Sequence, residues 1–200
     1  MRGDHFEDRA AGWDQAGHRV RNADNIAREM RRRVRFHAAM DIMDFGSGTG
    51  LLLERIAPLV ASITAVDTSP AMNQQLASKR DALDCALEIL AIDLLATDLD
   101  RRFDGIISSM TIHHIEDIPA LFQRFHALLE EGGFVAIADL DTEDGSFHDD
   151  STGVFHQGFD RDALKRVASN AGFTGVDITT ASVVREPRGD YPVFLLTAVR

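Results

Sequence analysis

A glycine-rich loop with an acidic residue before it has the clearest chemistry in this sequence. Residues 44–50 read Asp-Phe-Gly-Ser-Gly-Thr-Gly. Glycines at alternate positions let the backbone turn tightly and approach a ligand closely. A dinucleotide-binding loop would need another glycine where Leu51 stands. Because Asp44 would repel a pyrophosphate but attract an ammonium group, the loop predicts a ligand with a cationic part.

Two further acidic residues follow the next two predicted strands. Asp67 stands where a carboxylate can accept hydrogen bonds from both hydroxyls of a ribose, and Asp93 where one can accept from an adenine amine. Open α/β sheets bind ligands at the carboxyl ends of their parallel strands. Together with the loop, these residues predict a nucleoside site. The alternative is that each aspartate only caps the helix that follows it.

The elements that position these residues alternate between strand and helix, as in an α/β fold with a parallel sheet. Five strands are predicted, at residues 41–45, 63–67, 86–92, 103–108 and 134–138. Ser69 and Asp160 are predicted helix N-caps, and Gly132-Gly133 is predicted to end the helix after the fourth strand. Residues 176–184 and 191–199 predict an antiparallel hairpin.

Residues 1–40 have a helical pattern, with Ile26, Met30 and Val34 on one face. We interpret them as an N-terminal helical cap, or a lid over the site, and residues 41–200 as the ligand-binding domain. The apolar Phe6, Trp13, Ile26 and Met30 suit a lid that closes over a pocket. The alternative is a permanently docked helix.

Composition narrows the class of protein. The 200 residues are 44% hydrophobic, enough for a sizeable core, and the formal net charge is −11, which disfavours nucleic-acid binding. The single cysteine, Cys85, cannot form an internal disulfide. No apolar run approaches the length of a membrane span and no signal peptide is evident, so we expect a cytoplasmic protein with no membrane partner.

From about residue 41 to its end, the sequence resembles class I S-adenosylmethionine-dependent methyltransferases. Residues 44–50 match the first motif of that family, and Asp67 and Asp93 match its acidic positions after strands two and three. Residues 103–110, 112–117 and 128–134 are similar to its later motifs. Trp13-Asp14 and the fourth-strand motif are similar to the ubiquinone-biosynthesis-like subgroup.

The resemblance implies a Rossmann-like seven-stranded sheet of order 3-2-1-4-5-7-6, with strand seven antiparallel and helices on both faces. It also implies S-adenosylmethionine as cofactor. The glycine loop would contact the methionine and ribose parts of the cofactor, and Asp67 would bind the ribose. The adenine would lie against Thr68, Met72, Asp93 and Leu94. Ser109 and Met110 would lie beneath the methionine. The implied cofactor-binding residues are Asp44, Phe45, Gly46, Ser47, Gly48, Gly50, Asp67, Thr68, Met72, Asp93, Leu94, Ser109 and Met110.

The methyl acceptor is predicted to be a small molecule, because the Asn/Asp-Pro-Pro-aromatic motif of nucleic-acid amino-methyltransferases is replaced by the sequence Ser-Ser-Met-Thr at residues 108–111. If a general base is needed, the candidates are His113, with His114 beside it, His148 and His156. Residues 139–159 are expected either to form the acceptor pocket or to anchor a long loop through Phe147, Phe155 and Phe159.

Other interpretations remain open from the sequence. Asp117, Asp139 and Asp141 could hold a metal ion, although the Asp-Asn pair of metal-dependent relatives is missing, so no metal is predicted. An NAD-dependent oxidoreductase and a non-catalytic cofactor-binding partner subunit are the alternative functions. The chain is expected to be a monomer or a homodimer.

Overall fold

Seven strands form one sheet in a computed structural model that describes residues 10–148 and 153–200. The strands are β1 (Asp41–Phe45), β2 (Ser62–Val66), β3 (Ala86–Leu90), β4 (Phe103–Ser109), β5 (Leu129–Leu140), β6 (Thr174–Glu186) and β7 (Gly189–Val199). Their order is β3-β2-β1-β4-β5-β7-β6, and only β7 is antiparallel to its neighbours. The sheet implied by the resemblance is therefore confirmed.

Five α-helices cover the two faces of this sheet in the described part of the chain. They are α1 (Gly17–Arg33), α2 (Leu53–Ile56), α3 (Pro70–Ser78), α4 (Ile118–Leu128) and α5 (Arg161–Asn170). Short 3₁₀ helices span Ala10–Gln15, Ala57–Leu59, Arg80–Ala82 and Ile112–His114. The predicted N-caps are confirmed, since Ser69 Oγ accepts from the Met72 amide and the Asp160 carboxylate accepts from the Ala163 amide.

Several elements differ from their predicted bounds. Helix α4 ends at Leu128, and Gly132 and Gly133 lie within β5, where the pairing with β4 shifts register. A side chain at Gly133 would come within 3.0 Å of two backbone carbonyl oxygens, so the glycine is needed for close strand approach. Helix α2 is a single turn that passes into a 3₁₀ turn at Pro58, which cannot donate a helical hydrogen bond. Strand β3 ends at Leu90, so Asp93 lies in the following turn.

The strands divide their side chains between two apolar layers. Met43 and Phe45 face the layer that holds α4 and α5, and Ile42 faces the layer that holds α1, α2 and α3. This alternation follows from the two-residue period of a strand. Both faces of the central strands are buried, which explains their nearly continuous apolar sequences.

Helix α1 is part of the second layer. Ile26 and Met30 are fully buried there, and the helix packs against β6 and β7. This packing suits a docked helix for residues 17–33, so the lid hypothesis now concerns the segment before it. The division of the chain into a cap and a domain at residue 40 stays a prediction, and Phe6 lies outside the described residues.

Candidate functional site

The sheet order places the predicted cofactor residues along one edge. Asp44 is the last but one residue of β1, and Ser109 is the last residue of β4. Asp67 follows β2 and Asp93 follows β3. The sheet order β3-β2-β1-β4-β5 therefore arranges them in a row at the carboxyl ends of parallel strands. The fifth member of this row is Asp139, near the end of β5, which the sequence suggested only as a possible metal ligand.

The glycine loop is held in a conformation that side chains would disturb. Gly46, Gly48 and Gly50 have φ values of +68°, +52° and +88°, in the left-handed region that favours glycine. A Cβ atom at Gly46 would overlap the side chain of Thr111, whose Oγ1 donates to the Gly46 carbonyl at 3.2 Å. The loop is therefore packed directly against the segment that follows β4.

Asp67 fixes the loop from the side of β2. Its Oδ2 accepts from the Gly48 amide at 2.9 Å, and its Oδ1 accepts from the Ser69 amide at 2.8 Å. The side chain is half-buried at the centre of the edge. Asp67 thus joins the glycine loop to the N-terminus of α3.

Asp44 is a buried carboxylate whose Oδ2 has no hydrogen-bond partner among the described residues. Burial, reinforced by the charge of Asp67, raises the pKa of Asp44 to about 8. The Ser47 hydroxyl, in the loop that follows, is also buried and without a partner in the described part of the chain. A buried carboxylate is stabilised when a cation lies next to it. The residues therefore fit a ligand with an ammonium group.

The predicted adenine-contacting residues lie on the β2 and β3 side of the edge. Thr68 and Asp93 are exposed, and Met72 and Leu94 are buried. Asp93 Oδ1 accepts from the Leu95 amide at 2.9 Å, which shapes the turn after β3. Asp93 thus has a local turn role in addition to the adenine contact that the resemblance implies.

The chain turns sharply below the loop, after β4. Met110 has a φ of +56°, the only positive value among the described residues other than glycine, and its amide donates to the Ala138 carbonyl at 2.8 Å. A left-handed conformation in such a residue is strained and is held by its surroundings. The turn brings Ser109 and Met110 to the same edge as Gly46.

Asp139 organises the segment beyond this turn. It is fully buried, and it accepts from the amides of Thr111 at 3.1 Å, His113 at 3.3 Å and Leu140 at 2.8 Å. Its Oδ1 also lies 2.7 Å from His113 Nδ1. Burial by itself would raise the pKa of Asp139, but the His113 side chain and the amides of Leu140 and His113 hold it below its usual value. The sequence signal for this role was an acidic residue at the end of a buried strand.

Of the candidate histidines, His113 and His148 have neighbouring rings, and the His156 amide donates to the His113 carbonyl oxygen at 3.2 Å. The buried His113 ring packs 4.2 Å from His114 and 4.9 Å from His148, between ring centroids. His156 Nε2 lies 2.9 Å from the Ile115 carbonyl oxygen, and its ring packs against Phe159. This contact gives His156 an anchoring role, and its part in catalysis stays a prediction.

A cavity of about 240 Å³ opens beside His148. It is lined by Glu143, Gly145, His148, Val154, Phe155 and Gln157. Among the three aromatic residues proposed for this region, Phe159 is buried and Phe147 packs on Tyr191, so these two anchor the loop. Phe155 is 46% exposed and forms part of the cavity wall. The anchoring interpretation therefore fits two of the three aromatic residues, and the acceptor pocket stays a prediction.

The segment before α1 touches the glycine loop. Asp14 Oδ1 accepts from Thr49 Oγ1 at 2.6 Å, and the Asp14 carboxylate also pairs with Lys79, which binds Glu54 at 2.8 Å. The Arg19 guanidinium lies 3.7 Å from the centre of the Trp13 ring. The sequence indicated Trp13-Asp14 as a motif but not its contact with Thr49.

The aspartates considered as metal ligands have other partners. Asp117 caps α4 through the Ala120 amide, and Asp141 accepts two hydrogen bonds of 2.6 Å from Arg161. In residues 10–148 and 153–200, no three His, Cys, Asp or Glu side chains are grouped as metal ligands. Over the same residues, none of the helices is long and apolar enough to cross a membrane.

The sequence profile of a family described as "Methyltransferase domain" matches residues 15–178. The chain therefore belongs to this family of methyltransferases, which use S-adenosylmethionine. The family match supports methyl transfer over the dinucleotide-dependent oxidoreductase considered from the sequence.

Two relatives and one solved structure illustrate the similarity. An uncharacterized methyltransferase of Schizosaccharomyces pombe is 28% identical over 158 residues, which are 70% of this chain and 56% of that protein. A ubiquinone biosynthesis O-methyltransferase of Xanthomonas campestris is 27% identical over 108 residues, 53% of this chain and 45% of that protein. The chain thus spans about half the length of these curated relatives.

The solved structure is phosphoethanolamine N-methyltransferase 2 of Haemonchus contortus in complex with S-adenosyl-L-methionine. It superposes with a TM-score of 0.73 at 16% identity, over 98% of this chain and 59% of that chain. At this identity the likeness shows the fold, and it agrees with the strand order found here.

Proposed function

We propose that this chain binds S-adenosylmethionine at the carboxyl edge of its sheet and transfers the methyl group to a small-molecule acceptor by in-line displacement. The observation that carries the proposal is Asp44, a fully buried carboxylate with an unpartnered oxygen beside a glycine loop. Such a group is costly unless a cation binds next to it. The ammonium group of the cofactor provides that cation.

The other residues of the edge divide the remaining work of binding. The loop from Gly46 to Gly50 holds the methionine and ribose parts, together with Phe45 and Ser47, and Asp67 accepts from the ribose hydroxyls. Thr68, Met72, Asp93 and Leu94 contact the adenine. Ser109 and Met110, placed by the strained turn after β4, lie beneath the methionine.

The chemistry needs little from the protein beyond alignment. The bound cofactor supplies a methyl group on a sulfonium, which is already a strong electrophile. The residues of this chain therefore orient the acceptor and exclude water. The cavity beside His148 is the proposed acceptor site, because His113 joins it to Asp139 and to the turn under the loop.

A small-molecule acceptor is supported by the charge of the chain. A formal net charge of −11 repels a nucleic-acid backbone. The names of the similar proteins include transfer to oxygen in a ubiquinone-biosynthesis enzyme and to nitrogen in a phosphoethanolamine enzyme. Membership of the ubiquinone-biosynthesis-like subgroup rests on this similarity and on the Trp13-Asp14 motif.

Titration calorimetry with S-adenosylmethionine and S-adenosylhomocysteine tests the proposal. We expect micromolar dissociation constants for both, and a loss of about tenfold or more in affinity for Asp44→Asn. The exposed Asp162→Asn serves as the matched control and should bind normally. No heat and no thermal shift with either ligand on folded protein would contradict the proposal.

A second measurement separates an enzyme from a non-catalytic cofactor-binding subunit. Protein incubated with labelled S-adenosylmethionine and fractionated metabolite extracts should transfer label to a small molecule. Binding without any transfer, under conditions where a known methyltransferase labels its own acceptor, would favour the subunit.

A further inference from the structure

Asp139, near the end of β5, is a fully buried carboxylate that the function proposed above leaves without a direct role. Removing a charged group from water is costly unless hydrogen bonds replace its hydration. Three backbone amides supply these bonds, those of Thr111, His113 and Leu140. Asp44 differs in this respect, because its Oδ2 has no partner in the described part of the chain and suits a ligand. The contacts of Asp139 are instead with the backbone.

Two of these amides follow a strained residue. Met110 has a φ of +56°, in the left-handed region that disfavours a side chain. The amides of Thr111 and His113, which come next in the chain, both donate to Asp139 Oδ2, at 3.1 and 3.3 Å. The Met110 amide itself donates to the carbonyl of Ala138 at 2.8 Å. The end of β5 therefore holds the backbone on both sides of the left-handed residue.

The charge of Asp139 suits this task. Burial raises its pKa, but the His113 side chain and the amides of Leu140 and His113 hold the pKa of Asp139 below its usual value. The group is therefore ionised at neutral pH. Because an ionised carboxylate only accepts hydrogen bonds, neither of its oxygens presents a donor to the amides of the turn.

The turn at Met110 is joined to the glycine loop through the next side chain. Thr111 Oγ1 donates to the Gly46 carbonyl at 3.2 Å, and it lies 3.1 Å from the carbonyl oxygen of Ser109. Ser109 and Met110 are the residues proposed to lie beneath the methionine part of the cofactor. A change in the turn would therefore move these two residues and disturb the contact of Thr111 with the loop.

We propose that Asp139 is a positioning residue for the cofactor site, and that it acts by holding Met110 in its left-handed conformation. The inference rests on the function proposed above and adds a residue to that site. Without the carboxylate, Met110 would relax to a negative φ in most molecules. Only the fraction that keeps the turn would then bind the cofactor, so the strain would appear as a weaker affinity.

Calorimetry with S-adenosylhomocysteine on variants of Asp139 tests this role. Asp139→Ala should raise the Kd about tenfold, as expected when binding has to restore one strained residue. Asp139→Asn keeps an oxygen that can accept from the amides of Thr111 and His113, so its Kd should stay within about threefold of that of the unaltered protein. Asp160→Ala is the control, because it removes a carboxylate that accepts from a backbone amide at the start of α5. This control should lower thermal stability and leave the Kd unchanged.

Substitutions at Met110 separate positioning from a general contribution to stability. Glycine adopts a left-handed φ without strain, whereas alanine also shortens the side chain but keeps the strain. In the Met110→Gly background, Asp139→Ala should raise the Kd only about twofold, and in the Met110→Ala background the effect should stay about tenfold. If Asp139→Ala does not fold, Asp139→Ser replaces it in the same comparison.

The outcomes separate this inference from the proposed function. Suppose that S-adenosylhomocysteine binds the unaltered protein. A Kd that Asp139→Ala leaves unchanged, an equal effect in the two Met110 backgrounds, or an Asp139→Asn variant as weak as Asp139→Ala would then overturn the positioning role, and the proposed cofactor site would stand. If S-adenosylhomocysteine does not bind to the folded, unaltered protein, the proposed function is overturned and the role of Asp139 with it.

Discussion

The Asp14 carboxylate accepts a hydrogen bond of 2.6 Å from the hydroxyl of Thr49, a buried residue within the glycine loop. The same carboxylate pairs with Lys79, which follows α3. Asp14 therefore holds the segment before α1 against the glycine loop and against the end of α3.

Replacement of Asp14 should weaken cofactor binding through the loop. Loss of a hydrogen bond of about 1 kcal/mol corresponds to about a fivefold rise in Kd for S-adenosylhomocysteine in Asp14→Ala. Asp14→Asn keeps an acceptor for Thr49 but loses the ion pair with Lys79. Its Kd should therefore lie between that of the unaltered protein and that of Asp14→Ala. An unchanged Kd in Asp14→Ala would mean that the loop holds its shape without this contact.

The segment around Asp14 is also the place to test the lid hypothesis. Hydrogen exchange should show that residues 10–19 gain protection when S-adenosylmethionine binds, whereas Ile26 and Met30 stay protected throughout because they are part of the core. Protection that is high at residues 10–19 with and without ligand would identify them as scaffold. Truncation of residues 1–40 is a poorer test, since it would also expose the apolar layer under α1.

Cofactor binding should release a proton near neutral pH. The pKa of Asp44, raised to about 8 by burial and by Asp67, keeps this carboxyl mostly protonated at about pH 7 in the free protein, and a bound cation requires the ionised form. Affinity should therefore rise with pH up to about 8. Calorimetry in buffers of different ionisation heat should detect proton release at about pH 7 and little at about pH 9.5.

The Asp44→Asn variant provides the control, because its proton release should vanish.

The same pKa predicts the pH dependence of stability. The folded protein binds a proton at Asp44 that the unfolded chain has lost, so the contribution of this group to stability falls as pH rises from about 4 to about 8. Relative to the unaltered protein, Asp44→Asn should gain thermal stability across that range. A flat difference would indicate that Asp44 is not buried in solution.

Asp67 and Asp141 should respond differently to replacement by alanine. Asp67 holds the Gly48 and Ser69 amides and is proposed to hold the ribose, so Asp67→Ala should raise the cofactor Kd by roughly tenfold to a hundredfold. Asp141 makes a two-point ion pair with Arg161, so Asp141→Ala should lower thermal stability and leave the cofactor Kd unchanged. Equal effects on Kd would show that the ribose site lies elsewhere.

Gly46→Ala should abolish cofactor binding for a steric reason that can be relieved. The new methyl group would overlap Thr111, and the left-handed φ of +68° adds strain. Gly48→Ala adds strain alone, because its Cβ atom would meet nothing within 4 Å, so it should bind better than Gly46→Ala. The double change Gly46→Ala with Thr111→Ala should recover part of the affinity. Without such recovery, the conformation of the loop rather than the overlap is decisive.

Features that depend on near neighbours in the chain could be read from the sequence. Ser69 and Asp160 were identified as N-caps because a cap bonds an amide two or three residues ahead. The extent of β1 followed from its own apolar residues, and the residues of the glycine loop supplied both the turn and the family resemblance. The end of α4 was misjudged because Gly132 and Gly133 respond to strand pairing with β4, not to the helix.

What the sequence by itself determined was the fold class and the order of elements, since both depend on local patterns along the chain. The cofactor class followed from the resemblance of its motifs to a known family. Only the tertiary structure decided that Asp44 is buried without a partner, that Asp139 orients His113, and that Glu143 and His148 share a cavity. It also decided that Asp14 contacts Thr49 across 35 residues of sequence. The physical reason is that burial and hydrogen bonding between distant residues depend on which strands lie side by side, and no short stretch of sequence encodes that arrangement.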